Sequence, residues 1–435
     1  MPRIAPRFRR PWMATMVLCS LTAGPLARAA TQAPPPVGTV QVVADINPSD
    51  CLGPSSPLTL GPDGQLYGTM SNGGLFLSGC LYRVTPKAKG PGKLKVLAHF
   101  GGPSGAPSLP AGQLRFTPDG QILGTTVGGG QFAGGTLYRA TLGGEVTVLK
   151  HFGDHPLAYV GPTGAPLLAR DGRLYGGIWG GPGNFGGVYS VRPDGSDWRL
   201  LHAFGQGEDL WRPEGPLVLA RDGALYGGTT AGPGERTAGG VFRLTLGGRY
   251  QVLHTMNAVG DGVTPRSGVV EGPDGALWGT NSTCGGDGNW CSGVGTVFRI
   301  SPGERPQDAP VFEVIYTGGG LTAPTQPGEM VAGLLARPDG SLWSTSYVGG
   351  SAGYGTVYRL GPDHQVSTLH SLGAPGGGKF PNWGLTATGD GWLYTVTNQG
   401  GAYGNGVVFR IWEGQAPGRA PASALTAPTP PASPQ

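Results

Sequence analysis

Histidine is the side chain best suited to acid–base catalysis near neutral pH. The chain of 435 residues contains seven histidines. Five of them occupy matching positions in a recurring apolar segment: His99, His151, His202, His254 and His370. A histidine repeated in this way is typical of a packing or surface role within a repeat. His364 falls in a turn and His155 follows Asp154 in a loop, but adjacent residues seldom point at the same atom, so no catalytic centre is indicated.

Carboxylates outside the repeated segments are candidate Ca²⁺ ligands, because Ca²⁺ prefers oxygen donors. These acids are Glu208, Asp209, Glu214, Asp261, Asp287 and Glu329. Their spacing is not that of an EF-hand, and the sequence has no Gly-x-Ser-x-Gly elbow, Walker loop or haem attachment motif. We therefore expect no cofactor and no dedicated metal site, with Ca²⁺ left open, and the motifs favour a protein that is not an enzyme.

Aromatic side chains near loops are candidates for ligand binding, because an exposed ring can stack on a sugar or a peptide. Five of them fall in or beside long loops: Trp179, Trp211, Trp290, Tyr347 and Trp383. The alternative is that these rings fill gaps between neighbouring sheets. We predict that these five residues bind the ligand.

Four cysteines follow the N-terminal segment, an even number that predicts disulfides in an exported protein. Cys284 and Cys291 bracket one loop, so their simplest pairing is with each other. Cys51 and Cys80 are then the second pair. A metal site is the alternative, but the sequence has neither a Cys-x-x-Cys motif nor a nearby histidine cluster to support it.

The element that must position all these residues is an internal repeat. Asp-Gly doublets recur at intervals of 51–65 residues, beginning at Asp63, Asp119, Asp171, Asp222, Asp274, Asp339 and Asp390. Each stands between two short apolar runs, the pattern of a tight β-hairpin. A Gly-rich loop follows, then a third strand with an aromatic-Arg core such as Tyr82-Arg83, and then a fourth strand such as residues 146–149. No segment has a sustained helical period.

Seven four-stranded repeats predict an all-β, seven-bladed β-propeller over residues 39–412, because such sheets bury their faces only against one another. The last repeat lacks a fourth strand, whereas residues 39–46 form an unpaired strand before the first hairpin. We predict that this N-terminal strand completes blade seven beside residues 407–412 and removes the exposed edge.

The two ends of the chain are assigned by composition. Residues 1–30 combine arginines, a short apolar run and a small-residue cleavage site, which predicts a signal peptide and a periplasmic or secreted location. Residues 31–38 are assigned as a linker, and the Pro/Ala-rich residues 413–435 as a disordered tail. No apolar run is long enough for a membrane span.

The charge of the chain bears on its partners. Residues 1–30 contain five arginines and no acid, and without them basic and acidic side chains are almost equal in number. The rest of the chain has no basic stripe, so we do not expect nucleic acid to bind. We expect a monomer.

The repeated strings resemble the gloeo/verruco (GloVer) repeat of exported bacterial proteins. Residues 355–360, Gly-Thr-Val-Tyr-Arg-Leu, and residues 66–69, Leu-Tyr-Gly-Thr, carry this resemblance. It implies an exported repeat protein without a settled biochemical role. The spacing of the repeats also resembles, more loosely, that of propellers of the streptogramin lyase type. No residue matches the catalytic histidine or metal-binding acid of that enzyme.

The strand order predicts where a ligand would bind. Asp-Gly and Gly-Gly hairpins fall on one face of the ring and the longer loops on the other, where binding sites are usually built. We predict an exported propeller that binds a glycan, peptide or protein on the long-loop face. The alternative is a propeller enzyme of the lyase, lactonase or glycan-cleaving type.

Overall fold

The computed structural model describes residues 34–86, 92–154, 159–164, 166–207, 209–233, 237–257, 260–282, 294–301, 303, 308–319 and 325–414. These residues form seven antiparallel sheets arranged as the blades of a propeller. The predicted all-β, seven-bladed fold is therefore confirmed.

Blades 1 to 4 follow an N-terminal strand, β1 (Val40–Asp45). Blade 1 consists of β2 (Cys51–Pro54), β3 (Thr59–Leu60), β4 (Leu66–Gly73), β5 (Cys80–Thr85) and β6 (Lys93–His99). Blade 2 consists of β7 (Pro107–Phe116), β8 (Ile122–Gly129), β9 (Thr136–Ala140) and β10 (Val146–His151). Blade 3 consists of β11 (Leu167–Leu168), β12 (Leu174–Ile178), β13 (Gly187–Val191) and β14 (Arg199–Ala203), with a 3₁₀ turn at Pro182–Asn184. Blade 4 consists of β15 (Trp211–Leu219), β16 (Leu225–Ala231), β17 (Thr237–Leu244) and β18 (Tyr250–Asn257).

Blades 5 to 7 repeat the meander. Blade 5 consists of β19 (Val269–Glu271), β20 (Leu277–Asn281), β21 (Thr296–Ser301) and β22 (Val311–Thr317). Blade 6 consists of β23 (Leu335–Ala336), β24 (Leu342–Ser346), β25 (Thr356–Leu360) and β26 (Val366–Ser371). Blade 7 contains β27 (Gly378–Pro381), β28 (Thr386–Ala387), β29 (Trp392–Gly400) and β30 (Val407–Trp412). In blades 1 and 7 the innermost strand is divided into two short segments.

The N-terminal strand supplies the fourth strand of blade 7. β1 pairs antiparallel with β30, with Gln41 opposite Arg410. The Arg410 guanidinium donates to Gln41 Oε1 at 2.8 Å. At the last residue of β1, Asp45 Oδ1 accepts a hydrogen bond from the backbone N–H of Ala402 at 2.7 Å. The predicted closure is confirmed, and the two ends of the described chain are joined in one sheet.

The hairpin aspartates organise their own turns. In six of the seven blades, Asp Oδ1 accepts the backbone N–H two residues later, as in an Asx turn. In blade 4 the second oxygen of Asp222 also accepts from Tyr226 Oη at 2.9 Å and from Arg243 Nη2 at 2.7 Å. The hairpin acid and the third-strand arginine therefore bond to each other across the blade.

Blade 3 departs from this pattern because Ser190 stands where most blades have an arginine. Arg173, immediately before the second strand, donates to Ser190 Oγ at 3.2 Å and to Asp197 Oδ2 at 2.8 Å. A guanidinium thus remains beside this third strand, although another residue supplies it.

The core between the blades consists of repeated aromatic and aliphatic side chains. Tyr67, Tyr82, Tyr138 and their equivalents in the other blades are almost fully buried. In blades 1 to 5 the third residue of the second strand is a glycine that makes room for one such ring. At Gly124 a Cβ atom would lie 2.3 Å from Tyr138 Oη, so a larger residue cannot enter without moving the ring.

Blade 1 carries a disulfide between Cys51 and Cys80, with 6.3 Å between their Cα atoms. It links the first and third strands across β4, at the long-loop edge. The proposed partner pair, Cys284 and Cys291, lies outside the described residues. No helix in the described part of the chain is long and apolar enough to cross a membrane.

Candidate functional site

The meander gives the ring two different faces. Turns between strands one and two, and between strands three and four, lie on the hairpin face. Loops between strands two and three, and the connections between blades, lie on the opposite face, which we call the long-loop face. Because each innermost strand runs from the long-loop face to the hairpin face, its early residues lie at the mouth of the central channel.

Three charged side chains lie in or shortly before the innermost strands of consecutive blades: Glu214 in β15, Arg266 before β19 and Glu329 before β23. Arg266 is exposed, and the two glutamates are half-buried. The blades are in close contact here, because a Cβ on Gly215 would lie 2.5 Å from the Arg266 carbonyl oxygen. We call Glu214, Arg266 and Glu329 the channel-mouth triad.

The triad is electrostatically coupled although its members make no direct contact. Burial raises the pKa of Glu214, and the positive charge of Arg266 opposes part of that rise. Burial likewise raises the pKa of Glu329, and the charge of Arg266 again opposes part of the rise. Within the described residues, none of the three side chains forms a hydrogen bond or ion pair. Their polar atoms are available to a ligand, and a carboxyl group with a raised pKa is suited to proton transfer.

A second feature of the long-loop face is an arc of exposed aromatic rings. Phe76, Phe132 and Tyr403 occupy the same position in the loops between strands two and three of blades 1, 2 and 7. Their side chains are 49%, 52% and 54% exposed. Blade 3 adds Trp179, which is 48% exposed at the end of β12. Four neighbouring blades therefore present an aromatic ring to solvent, and we call these four residues the aromatic arc.

The loop that carries Phe76 is apolar on both sides of the ring. Leu75 and Leu77 are 75% and 78% exposed. Leu77 also has a φ of 56°, a backbone conformation that costs free energy for a residue with a side chain. Ala133, at the same loop position in blade 2, has a φ of 54°, so this conformation belongs to the repeated turn. The two exposed leucines beside Phe76 make the tip of this loop apolar.

The predicted aromatic residues have different environments. Trp179 is exposed, and the Arg212 guanidinium lies 6.0 Å from its ring centre. Trp211 is half-buried and packs on Phe185 at a centroid distance of 4.9 Å. Trp290 lies outside the described residues.

Tyr347 and Trp383 serve contacts between blades. The Tyr347 ring packs on Phe380 of the next blade at 5.1 Å. Trp383 Nε1 donates to the Pro54 carbonyl at 3.0 Å, which joins blade 7 to blade 1. The aromatic arc and the channel-mouth triad thus share only Trp179 with the set expected to bind ligand, although Glu214 and Glu329 were among the candidate Ca²⁺ ligands.

The repeated histidines anchor loops at the outer strands. His202 Nε2 lies 3.1 Å from Asp209 Oδ2, and its ring stacks on Tyr250 at 4.0 Å. His254 Nε2 lies 2.9 Å from Asp261 Oδ2. In each case the acid comes seven residues later, in the connection to the next blade, so the pair fixes that connection. Among the described residues, no group of three His, Cys, Asp or Glu side chains is arranged to hold a metal ion.

Comparison with known proteins identifies the repeat and the fold. Residues 110–322 match the model of the Gloeobacter/Verrucomicrobia repeat. No curated protein matches the sequence. The extracellular domain of BT4673 from B. thetaiotaomicron is 12% identical and superposes with a TM-score of 0.53 over 88% of this chain and 43% of that one. This chain therefore spans less than half of that structure, and the likeness shows a shared fold.

Two further structures are less similar. PorZ, a surface component of the type-IX secretion system of Porphyromonas gingivalis, is 12% identical, with a TM-score of 0.47 over 84% of this chain and 46% of that one. A protein of unknown function from Dyadobacter fermentans is also 12% identical, with a TM-score of 0.42 over 86% of this chain and 98% of that one.

Proposed function

We propose that this chain, which carries the Gloeobacter/Verrucomicrobia repeat over residues 110–322, is an exported propeller that binds a protein or peptide on its long-loop face. The observation that carries this proposal is the exposure of Phe76, Phe132 and Tyr403 at one repeated loop position. Exposed rings that recur on neighbouring blades form a surface that one extended partner can cover.

The chemistry of the arc favours a protein partner over a glycan. Leu75 and Leu77 flank the ring of Phe76, and aliphatic side chains gain from contact with apolar protein surface rather than from hydroxyl groups. Burying one large apolar side chain contributes roughly 1.5–3 kcal/mol. Binding energy of this kind is concentrated in a few aromatic anchors at the centre of an interface.

Export is supported by three observations. Residues 1–30 have the composition of a signal peptide. The chain has a disulfide between Cys51 and Cys80, and disulfides form and persist mainly in oxidising compartments. The structurally similar part of BT4673 is an extracellular domain.

The test uses the chain from residue 31 onward, with a photo-crosslinking amino acid at position 76. Proteins captured from the envelope and secreted fractions of the source cells are purified, and their affinity is measured by calorimetry. We expect Phe76→Ala with Phe132→Ala to weaken binding at least 30-fold while the melting temperature stays unchanged. Val311→Ala is the matched control, because Val311 is 56% exposed at the start of β22, on the hairpin face.

Two outcomes would contradict the proposal. A partner whose affinity is unaffected by the double variant would place binding elsewhere. Binding to an oligosaccharide array that is lost in the same variant would identify the ligand as a glycan instead.

The channel-mouth triad favours a second candidate, an enzyme of the lyase, lactonase or glycan-cleaving type. The raised pKa values of Glu214 and Glu329 beside Arg266 would suit one carboxyl group as acid and the other as base. Hydrolysis or elimination activity found in a substrate screen should be lost in both Glu214→Gln and Glu329→Gln. Activity that survives in both variants would exclude the triad as the catalytic site.

A further inference from the structure

Deeper in the channel, Arg115 is a partly buried cation with no acidic partner. It lies on β7, the innermost strand of blade 2, four residues before the hairpin aspartate. Its Nη2 donates to the Leu217 carbonyl of blade 4 at 3.4 Å, so the side chain reaches past blade 3 across the channel. Nε is buried and has no hydrogen-bond partner among the described residues.

The residues at the same repeat position in the other six blades are all uncharged. They are Thr59, Leu167, Val218, Val270, Leu335 and Thr386. The Thr59 hydroxyl donates to the Leu114 carbonyl at 3.1 Å, and the Thr386 hydroxyl donates to the Leu58 carbonyl. At this level the innermost strands therefore carry one cation, two hydroxyl groups whose protons are already donated, and four aliphatic side chains. Three of these four, Leu167, Val270 and Leu335, are only partly buried and also pack against the cores between blades.

Removing a guanidinium from water without an anionic partner is costly, because no nearby charge replaces the lost hydration. Desolvation alone lowers the pKa of Arg115, and no carboxylate acts on it. One long hydrogen bond uses a single donor of a group that has five N–H bonds. The geometry is that of a receptor for an anion.

We propose that the channel binds a short aliphatic carboxylate, with its carboxylate on Arg115 and its hydrocarbon part against the aliphatic side chains at the same level. A guanidinium and a carboxylate form two parallel hydrogen bonds, a geometry that a spherical ion cannot match. Leu167 and Val218 belong to blades 3 and 4, which the Arg115 side chain passes, so they are placed to contact the hydrocarbon part. This site is separate from the aromatic arc and does not depend on the protein-binding proposal.

The experiment measures binding of butyrate to the chain from residue 31 onward by calorimetry at constant ionic strength. Butyramide, which has the same shape without the charge, is the ligand control. We expect the unchanged protein to bind butyrate at least tenfold more tightly than butyramide. Arg115→Met should remove this preference, and Arg170→Met, at an exposed arginine in the blade 3 hairpin, should retain it.

Folding is checked separately for each variant. Arg115→Met removes an unpaired, partly buried charge, so its melting temperature without ligand should equal or exceed that of the unchanged protein. If Arg115→Met does not fold, Arg115→Gln takes its place, with the same expected loss of preference.

Three results would overturn the proposal. Equal affinity for butyrate and butyramide would mean that water alone solvates Arg115. Chloride or sulfate binding more tightly than butyrate would assign an inorganic anion. Butyrate binding that survives in Arg115→Met and Arg115→Gln would place the site elsewhere.

Discussion

The hairpin of blade 4 gives the sharpest prediction about stability. Asp222 accepts hydrogen bonds from the Ala224 backbone N–H at 3.0 Å, from Tyr226 Oη at 2.9 Å and from Arg243 at 2.7 and 2.9 Å. Hydrogen bonds to a charged group contribute about 1.5–3 kcal/mol each. The Asp222 side chain is 39% exposed, so solvent screening reduces the sum. We expect Asp222→Ala to lower the free energy of unfolding by about 2–3 kcal/mol.

The assay is urea denaturation of the single variants and of a double variant that combines Asp222→Ala with Arg243→Met. We expect a coupling free energy of about 1 kcal/mol between the two residues. Asp363→Ala is the control. Among the described residues Asp363 accepts one hydrogen bond, from the Gln365 backbone N–H at 3.2 Å, so the loss of unfolding free energy in Asp363→Ala should be smaller. Additive effects, or a loss at Asp222 no larger than at Asp363, would refute the reasoning.

The same interaction predicts a pH dependence with a definite sign. Burial acts to raise the pKa of Asp222, but hydrogen bonds from Ala224, Arg243 and Tyr226 outweigh it, so the pKa is lowered. Stability from a depressed carboxyl pKa is present above the unfolded value, about pH 4, and is lost as pH falls through the folded value. The difference in free energy of unfolding between the unchanged protein and Asp222→Ala should therefore shrink on acidification below about pH 4. A difference that grows in acid would contradict this sign.

Two further predictions concern contacts within and between blades. Gly124→Ala should destabilise the protein by about 1–3 kcal/mol, because the new Cβ would meet Tyr138 Oη; Gly143→Ala, with its nearest atom at 3.5 Å, should have little effect in the same urea assay. Arg337→Met should lower the free energy of unfolding by about 3–5 kcal/mol, because it leaves Glu413, whose side chain is 3% exposed, without its partner at 2.7 Å. A melting temperature equal to that of the unchanged protein would show that this pair does not hold blade 7 to blade 6.

The fold could be predicted from the sequence because its information is local and repeated. Every Asp-Gly doublet specifies a turn within a few residues, and in six of the seven the aspartate, as at Asp63, makes the backbone contact that the residue type alone suggests. The closing strand was predictable for the same reason, since a fourth strand missing at one end and present at the other has one economical solution.

The candidate site could be predicted only in part. Glu214, Arg266 and Glu329 are far apart in sequence. They come near one another only because the innermost strands of consecutive blades converge at the axis. Position in or beside long loops predicts Trp179, Trp211, Trp290, Tyr347 and Trp383, whereas exposure singles out Phe76 and Phe132 at loop tips. Their shared position within the Gly-Gly loops was a signal in the sequence that could have identified them.

Arg115 illustrates a different limit. Its segment reads as an ordinary first strand, and nothing local marks the arginine as a channel residue. Its environment depends on the side chains that six other blades place at the same level.

The central claim is that seven sheets form a ring closed by the N-terminal strand, and a cysteine cross-link tests it most directly. Gln41 lies opposite Arg410 in the closing pair. The variant Gln41→Cys with Arg410→Cys should form a disulfide under mild oxidation, identified by peptide mapping. Gln41→Cys with Arg359→Cys, at the equivalent position of blade 6, should not form one. A cross-link in the second pair, or none in the first, would contradict the closed seven-bladed ring.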